Sequence, residues 1–186
     1  MATIPIYTIG YGAREMAALI AVLKARGIEY LLDVRSRPYS RYKPDFSKAA
    51  LAQHLEAAGI RYVFMGDTLG GQPDDATCYE DGKVIYELVA EKAFYREGID
   101  RLRRAWQQQL PVCLMCSEGK PEQCHRTKLI GKTLVAAGIA VAHIDENNEV
   151  ISQEDADLRR SGGQPSLFPE LERPASRKRY RKEERQ

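Results

Sequence analysis

The sequence lacks any uninterrupted apolar run of the ~18 to 20 residues that a membrane-spanning helix needs, which argues against an integral membrane protein. Its first stretch, MATIPIYTIGYG, also lacks the basic region and long apolar core of a secretory signal. Only four cysteines are present, and an intracellular chain of this size keeps them reduced, so no disulfide framework is expected. These absences predict a cytoplasmic protein without a membrane segment.

The chain has little net charge, only +2, but that charge is unevenly distributed. Residues 173–186 hold seven basic side chains against two acidic ones, a net +5 that leaves −3 for the rest of the chain. A length of 186 residues is typical of one domain with a tail. We therefore predict a single domain over residues 1–160 and a flexible basic tail over residues 161–186.

Short apolar runs alternate with segments of helical periodicity along most of the chain. The apolar runs cover residues 4–9, 30–34, 60–64, 111–115 and 139–144. Strands that read as continuous apolar runs are typical of a parallel sheet covered on both faces. The pattern predicts an α/β fold with three layers: a mainly parallel sheet of about five strands with helices on both faces, similar to a Rossmann fold. The glycine-rich residues 65–82 show no periodicity, which predicts a long loop and a candidate lid.

The loops that follow the first, second and fourth strands should meet at one edge of such a sheet, because parallel strands are joined by right-handed crossovers. The first of these loops, TIGYGAR, is similar to a glycine-rich anion cradle, although it lacks the full dinucleotide fingerprint. Its candidate ligand-binding residues are Tyr11, Gly12 and Arg14. The alternative is that the glycines serve only a tight turn between strand and helix.

The second loop, DVRSRPYSR, combines one carboxylate with several groups that bind anions. Its candidate ligand-binding residues are Arg35, Arg37, Ser40 and Arg41. Three closely spaced arginines repel one another unless an anion or further carboxylates lie nearby, which predicts an anion site. Asp33 is a candidate catalytic residue. The alternative is that Asp33 pairs with one arginine and fixes the loop.

The third loop, CSEGKPEQCHR, is the densest in reactive side chains. Cys116 ends a buried strand and precedes a helix, with His125 and Arg126 close in sequence, and these conditions lower the pKa of a thiol. The catalytic candidates here are Cys116, Glu118 and His125, and Arg126 is a further ligand-binding candidate. With equal weight, Cys116 could pack as a small buried hydrophobe.

Neither a redox pair nor a metal centre is predicted from the cysteine spacing. Cys113 and Cys116 form a C-x-x-C pattern, but in a strand their side chains point to opposite faces. A zinc site built from Cys116, Cys124 and His125 would lack a fourth ligand. We therefore predict no cofactor, and a metal ion is left as the less favoured alternative.

The order of these motifs resembles the family catalogued as domain of unknown function 488, over about residues 4–140. The motifs are TIGYGAR, LLDVRSRPYSR, LGG at residues 69–71, and LMCSEGKPEQCHR. The resemblance implies a Rossmann-like domain and leaves the reaction open. The segment LLDVR and the later cysteine are also similar to rhodanese domains, but Glu118 would oppose an anionic persulfide on Cys116.

The tail contains a segment, QPSLF at residues 164–168, that resembles the peptide with which bacterial DNA enzymes bind the sliding clamp. Its candidate partner-binding residues are Gln164, Leu167 and Phe168, which follow a Gly-Gly linker. The alternative is that Leu167 and Phe168 fold back onto the domain. The basic end that follows would add affinity for phosphate backbones.

Taken together, the sequence predicts a protein that binds or processes a nucleotide or nucleic acid through an anion-binding cleft, with a role in DNA repair as one context. The candidate partners are a phosphate-containing ligand, DNA and the sliding clamp. Two alternatives stay open: a non-catalytic nucleic-acid-binding module, and a rhodanese-like sulfur or redox enzyme that uses Cys116. Whether the protein is an enzyme is not decided by the sequence.

Overall fold

The computed structural model describes residues 4–163 and 173–180 and is built around a central sheet. The strands are β1 (Ile6–Gly10), β2 (Tyr30–Asp33), β3 (Arg61–Phe64), β4 (Tyr79–Glu80), β5 (Lys83–Val84), β6 (Val112–Cys116), β7 (Val141–Ile144) and β8 (Val150–Ile151). Six of them form one sheet in the order β3-β2-β6-β1-β7-β8, and β4 pairs with β5 as a separate hairpin. The first five strands of the sheet order are parallel, and β8 runs antiparallel to β7.

Helices cover both faces of the sheet. They are α1 (Met16–Ala25), α2 (Lys48–Ala57), α3 (Gly66–Leu69), α4 (Tyr86–Ala90), α5 (Ala93–Gln107), α6 (Lys132–Ala136) and α7 (Gln153–Arg160). The apolar sides of α1 and α2 pack on one face, and those of α4, α5 and α6 pack on the other. Within residues 4–163 and 173–180, no helix is long and apolar enough to cross a membrane.

The central strand β6 is a continuous apolar run in the sequence because all five of its residues are buried. Side chains alternate between the two faces of a strand. Accordingly Val112, Leu114 and Cys116 belong to one hydrophobic cluster, whereas Cys113 and Met115 belong to the other. The prediction that Cys113 and Cys116 face opposite sides of the sheet is confirmed.

The predicted three-layer α/β fold is confirmed, and three segments differ from the expected pattern. After β7 the chain adds β8 and then α7, which begins with a capping box formed by Ser152 and Asp155. The predicted loop 65–82 contains α3 and β4. The helix predicted after Cys116 begins as the π-helical stretch Arg126–Gly131, a variation that is frequent at functional sites.

The carboxyl ends of β1, β2 and β6 lie side by side, as the loop positions predicted. In the parallel register Gly10 is the partner of Cys116, and Asp33 is the partner of Met115. The three loops that follow these strands therefore leave the sheet at the same edge. Side chains that are more than a hundred positions apart in sequence meet there.

Part of the predicted tail lies against the domain. Residues 173–180 run beside the β4–β5 hairpin, where Ser176 N–H donates to the Val84 carbonyl at 2.9 Å and Tyr180 N–H to the Gly82 carbonyl at 2.7 Å. Arg173 adds ion pairs with Glu80 and Glu87. This part of the tail is therefore held by main-chain hydrogen bonds and charge pairs. The clamp-binding peptide predicted at Gln164, Leu167 and Phe168 lies outside the described residues.

Candidate functional site

A cavity of about 340 Å³ opens at the edge where the three strand ends meet. Its walls come from the loops after β1, β2 and β6, from the start of α4 and from the segment 173–180. Six of the residues predicted from the sequence line it: Tyr11, Arg35, Arg37, Cys116, Glu118 and His125. Six others do not: Gly12, Arg14, Asp33, Ser40, Arg41 and Arg126.

Asp33 has a structural role that orients Arg35. The Asp33 carboxylate is fully buried and accepts hydrogen bonds from Arg35 Nε at 2.8 Å and Nη2 at 2.6 Å, as well as from the Tyr62 hydroxyl at 2.8 Å. Burial and the neighbouring Asp33 carboxylate raise the pKa of Tyr62 far above its usual range, so the hydroxyl keeps its proton. The buried Asp33 carboxylate cannot contact a ligand. It pairs with Arg35 and fixes the loop, which is the alternative that the sequence left open.

The bidentate pair leaves one nitrogen of Arg35 without a partner. Arg35 is only 6% exposed, and its Nη1 has no hydrogen-bond partner among the described residues. The side chain lines the cavity, and its guanidinium lies 5.4 Å from the centre of the Tyr11 ring. Nη1 itself has almost no accessible surface, so it lies beneath the cavity wall, where a guanidinium nitrogen without an acceptor is costly.

The glycine-rich loop after β1 does not form the anion cradle that its sequence predicts. Its N–H groups are already used, since Tyr11 N–H donates to the Cys116 carbonyl at 3.0 Å and Gly12 N–H to the Ser117 carbonyl at 3.1 Å. Arg14 points elsewhere and binds the carbonyls of Gly10 and Asp145. Burial lowers the pKa of Arg14, which fits a structural tie better than a ligand contact.

Two further residues of the predicted anion site lie outside the cavity. The Ser40 hydroxyl accepts a hydrogen bond from Lys43 N–H at 3.2 Å, and Ser40 N–H donates to the Ser47 hydroxyl at 3.1 Å. Arg41 is exposed on the same loop and does not reach the cavity wall. These polar groups stabilise the loop between β2 and α2.

The loop after β6 offers the free amides that the first loop lacks. The carbonyls of Cys116 and Ser117 accept from the loop after β1, and no described residue accepts a hydrogen bond from the N–H groups of Ser117 or Glu118. In a trans peptide the N–H points opposite to the preceding carbonyl, and no described peptide is cis. Both N–H groups therefore point away from the loop after β1.

Arg126 holds the loop after β6 in place through its carbonyl groups. The side chain is fully buried, and Nη1 donates to the Glu118 carbonyl at 2.6 Å while Nη2 donates to the Gly119 carbonyl at 3.0 Å. Gly10 makes room for this arrangement, because a Cβ at that position would overlap the Glu118 carbonyl and the Arg126 guanidinium. Arg126 thus positions the loop and does not contact the cavity.

Cys116 and Cys124 face each other across the loop with their sulfur atoms 2.7 Å apart. Burial and the hydrogen bond to Cys124 raise the pKa of Cys116 well above its usual range. Burial also opposes ionisation of Cys124, but the hydrogen bond from the Cys116 thiol and the charge of Arg126 outweigh it and lower the pKa of Cys124 to about 7. The lowered thiol pKa expected at Cys116 is therefore found at Cys124.

His125 lies beside this thiol pair in a defined tautomer. Its Nε2 donates to the Val34 carbonyl at 3.1 Å, which leaves Nδ1 as an acceptor 3.6 Å from the Cys124 sulfur. Burial lowers the pKa of His125, so the ring is neutral at pH 7. Gly71 packs against the ring, where a Cβ would overlap it. This contact explains why the second glycine of the LGG motif is required.

The segment 173–180 supplies a wall of the cavity that sequence analysis missed. Arg177 pairs with the Glu118 carboxylate at 2.9 Å and also binds Gln123, and Lys178 and Tyr180 line the same wall. The Glu118 carboxylate is the only one among the lining residues, against four arginine and lysine side chains. The cavity is therefore electropositive, and Glu118 is engaged in an ion pair.

Within residues 4–163 and 173–180, no group of three or more His, Cys, Asp or Glu side chains is arranged to hold a metal ion. The thiol pair and His125 form the nearest approach to such a group, with Cys116 turned towards Arg126. The arrangement places two thiols in an electropositive cavity.

The fold and the cavity define a Rossmann-like α/β protein with a thiol-containing, electropositive site at the carboxyl ends of its strands. Residues 15–132 match the family model described as "Domain of unknown function DUF488", and the chain belongs to this family. The resemblance noted from the motifs is thereby confirmed. The name of the family assigns it no function.

Comparison with known proteins adds little beyond the family. No curated protein matches the sequence. A crystal structure from Neisseria meningitidis, described as a "putative phosphatase", is similar with a TM-score of 0.40 and 18% sequence identity, over 84% of this chain and 82% of that chain. A similarity this low carries no information about function.

Proposed function

We propose that the protein binds the phosphate group of a nucleotide or nucleic acid in the cavity at the carboxyl ends of β2 and β6. The single observation that carries the proposal is the charge of the cavity lining, which has four arginine and lysine side chains against one carboxylate, together with the N–H groups of Ser117 and Glu118 in the lining loop, which bind no described residue. Backbone N–H groups and a guanidinium are the donors with which proteins bind phosphate.

The charge of the cavity supports an anionic ligand. Arg37 and Lys178 have no ion-pair partner among the described residues, whereas the only lining carboxylate, Glu118, is neutralised by Arg177. Like charges that lie close together without counter-charges repel one another. An anion in the cavity would relieve this repulsion.

The loop between β2 and α2 favours a nucleotide or nucleic acid over a simple anion. Tyr39 and Tyr42 are 74% and 92% exposed, and they alternate with Arg37 and Arg41 along the same loop. Exposed aromatic rings interleaved with cations are the features on which bases stack while phosphates are held nearby. Tyr39 also lines the cavity, so a base on this ring would stay close to a bound phosphate.

The test is binding of inorganic phosphate, AMP, adenosine and a single-stranded oligonucleotide, measured by calorimetry at low and high salt. We expect AMP and the oligonucleotide to bind, adenosine to bind at least tenfold more weakly, and salt to weaken the oligonucleotide most. Arg37→Gln should weaken AMP binding by about tenfold, since a charge-assisted hydrogen bond is worth about 1.5 to 3 kcal/mol.

The matched control is Arg104→Gln, which removes the same charge from the exposed end of α5, away from the cavity. AMP affinity should be unchanged in this variant. Equal weakening by both substitutions would mean that the effect comes from net charge alone. Failure of phosphate, AMP and oligonucleotide to bind the wild-type protein would refute the proposal.

A further inference from the structure

Cys116 and Cys124 form a close thiol pair at the two ends of the loop that follows β6. Their sulfur atoms lie 2.7 Å apart, and both side chains line the cavity although only 2% and 4% of their surfaces are exposed. A disulfide bond is about 2.05 Å long, so the two sulfurs need to approach by less than about 1 Å to bond. No rearrangement of the fold is needed for such a movement.

The surroundings of the pair stabilise a thiolate. Arg126 Nη1 lies 2.8 Å from the Cys116 sulfur, and the backbone N–H of Arg126 donates to the Cys124 sulfur at 3.5 Å. The neutral His125 presents Nδ1 to Cys124 as a proton acceptor. A cation, a backbone donor and a nearby base are the features that make a cysteine reactive in exchange with disulfides.

Among the described residues, the other two cysteines have no second sulfur, arginine nitrogen or histidine nitrogen in hydrogen-bond contact. Cys78 and Cys113 are fully buried in the hydrophobic clusters, and neither has a sulfur partner. Burial raises the pKa of both thiols. They are structural thiols and serve as internal controls for the reactive pair.

We propose that Cys116 and Cys124 are a redox-active dithiol that exchanges with small anionic disulfides admitted to the cavity. In the first step the Cys124 thiolate attacks one sulfur of the disulfide, forms a mixed disulfide and releases one thiolate. In the second step Cys116 loses its proton to solvent, attacks the Cys124 sulfur and releases the second thiolate. The protein dithiol is oxidised by two electrons, and the small disulfide is reduced to two thiols.

The preference for an anionic disulfide follows from the charge of the cavity. Arg37 and Lys178 stand at its wall without ion-pair partners in the described part of the chain, and the one carboxylate among the lining residues, Glu118, is already paired with Arg177. A carboxylate-bearing disulfide is attracted by these groups, whereas an amine-bearing disulfide of the same size is repelled. This inference concerns the thiols and does not depend on phosphate binding.

The experiment compares two disulfides of matched size and opposite charge, 3,3′-dithiodipropionate and cystamine, on the reduced full-length protein at pH 7. Free thiols are counted over time, and the product is mapped by peptide mass spectrometry. We expect the count to fall from four to two, with a single disulfide that joins Cys116 to Cys124. The anionic reagent should react at least tenfold faster at low salt, and the difference should shrink at high salt.

Two variants separate the roles of the thiols. Cys116→Ser should accumulate a stable mixed disulfide on Cys124, because the second thiol is absent, and Cys124→Ser should react at least tenfold more slowly. The initial rate in the wild-type protein should rise with pH around a midpoint near 7, the pKa of Cys124. Circular dichroism confirms that each variant is folded, and the wild-type peptide map tests the pairing without any variant.

Several outcomes would overturn the proposal. Four free thiols after prolonged exposure to either reagent would show that the pair is not redox-active. A disulfide or adduct at Cys78 or Cys113 would show that reactivity is not set by this site. Equal rates for the two reagents at low salt would remove the anionic substrate class, and identical products from the two serine variants would remove the assigned order of attack.

Discussion

The loops after β1 and β6 leave neighbouring strands at the same edge of the sheet, yet they use their polar groups in opposite ways. In the loop after β1, the N–H groups of Tyr11 and Gly12 and the side chain of Arg14 all bind within the protein. In the loop after β6, the carbonyls are bound and the N–H groups of Ser117 and Glu118 are free. The loop after β1 donates its N–H groups to the loop after β6, and the N–H groups of the loop after β6 stay free for a ligand.

A glycine-rich turn can therefore bind an anion only if its backbone N–H groups do not already donate to an adjacent loop. The N–H groups of the first loop extend the hydrogen bonding between β1 and β6 beyond the strand ends, and this fixes the orientation of the peptides that follow Cys116. Arg14, a ligand-binding candidate from the sequence, instead binds the carbonyls of Gly10 and Asp145 and stabilises the first loop. Arg126 does the same for the second.

The largest expected effect comes from removing Arg126, on which the second loop depends. Arg126→Met leaves the carbonyls of Glu118 and Gly119 without their donors and removes the cation beside the thiols. We expect the free energy of unfolding to fall by about 3 to 5 kcal/mol, measured by urea denaturation, because buried polar groups lose their partners. Arg104→Met on the exposed side of α5 is the control and should change stability by less than about 0.5 kcal/mol. A loss below about 1 kcal/mol for Arg126→Met would contradict the role assigned to this arginine.

A smaller but sharper effect is expected from the glycines of the two loops. A Cβ at residue 10 would overlap the Glu118 carbonyl, whereas a Cβ at residue 119 would meet only the Gly12 Cα at 3.5 Å, an ordinary contact. Gly10→Ala should therefore destabilise the protein by about 2 to 3 kcal/mol in urea denaturation, as overpacking does. Gly119→Ala should stay within about 1 kcal/mol of wild type. Similar losses in both variants would mean that the two loops are not in the contact described.

The sequence was sufficient for the sheet and for the convergence of its loops, because both follow from buried apolar runs and from the handedness of crossovers. It was not sufficient for the use of individual polar groups. Whether Gly12 N–H is free depends on the Ser117 carbonyl, more than a hundred residues away, and no local pattern encodes that bond. The same holds for Asp33, whose partners are settled by packing with Tyr62 and Arg35.

Two other features were missed for related reasons. Cys124 was weighed only as a metal ligand, since its distance from Cys116 depends on the turn Pro121–Gln123 and on the π-helical stretch that follows. The segment 173–180 was assigned to a flexible tail because a basic composition says nothing about main-chain hydrogen bonds. The available signal was opposite charge, since Arg173 pairs with Glu80 of the hairpin and Arg177 pairs with Glu118 of the loop after β6, but these pairings can be recognised only once the fold is known.

The smallest expected effect distinguishes the two arginines that the sequence treats alike. Arg14→Gln removes hydrogen bonds to the Asp145 carbonyl and the Asn148 side chain, so we expect a loss of about 1 to 2 kcal/mol in the free energy of unfolding, with unchanged affinity for AMP. Arg37→Gln should do the reverse, because Arg37 is exposed at the cavity and binds no described partner. Urea denaturation and calorimetry on both variants give the four values needed. If Arg14→Gln instead lost AMP affinity while its free energy of unfolding stayed at the wild-type value, the anion site would lie in the first loop. The glycine motif would then be an anion cradle, as the sequence predicts.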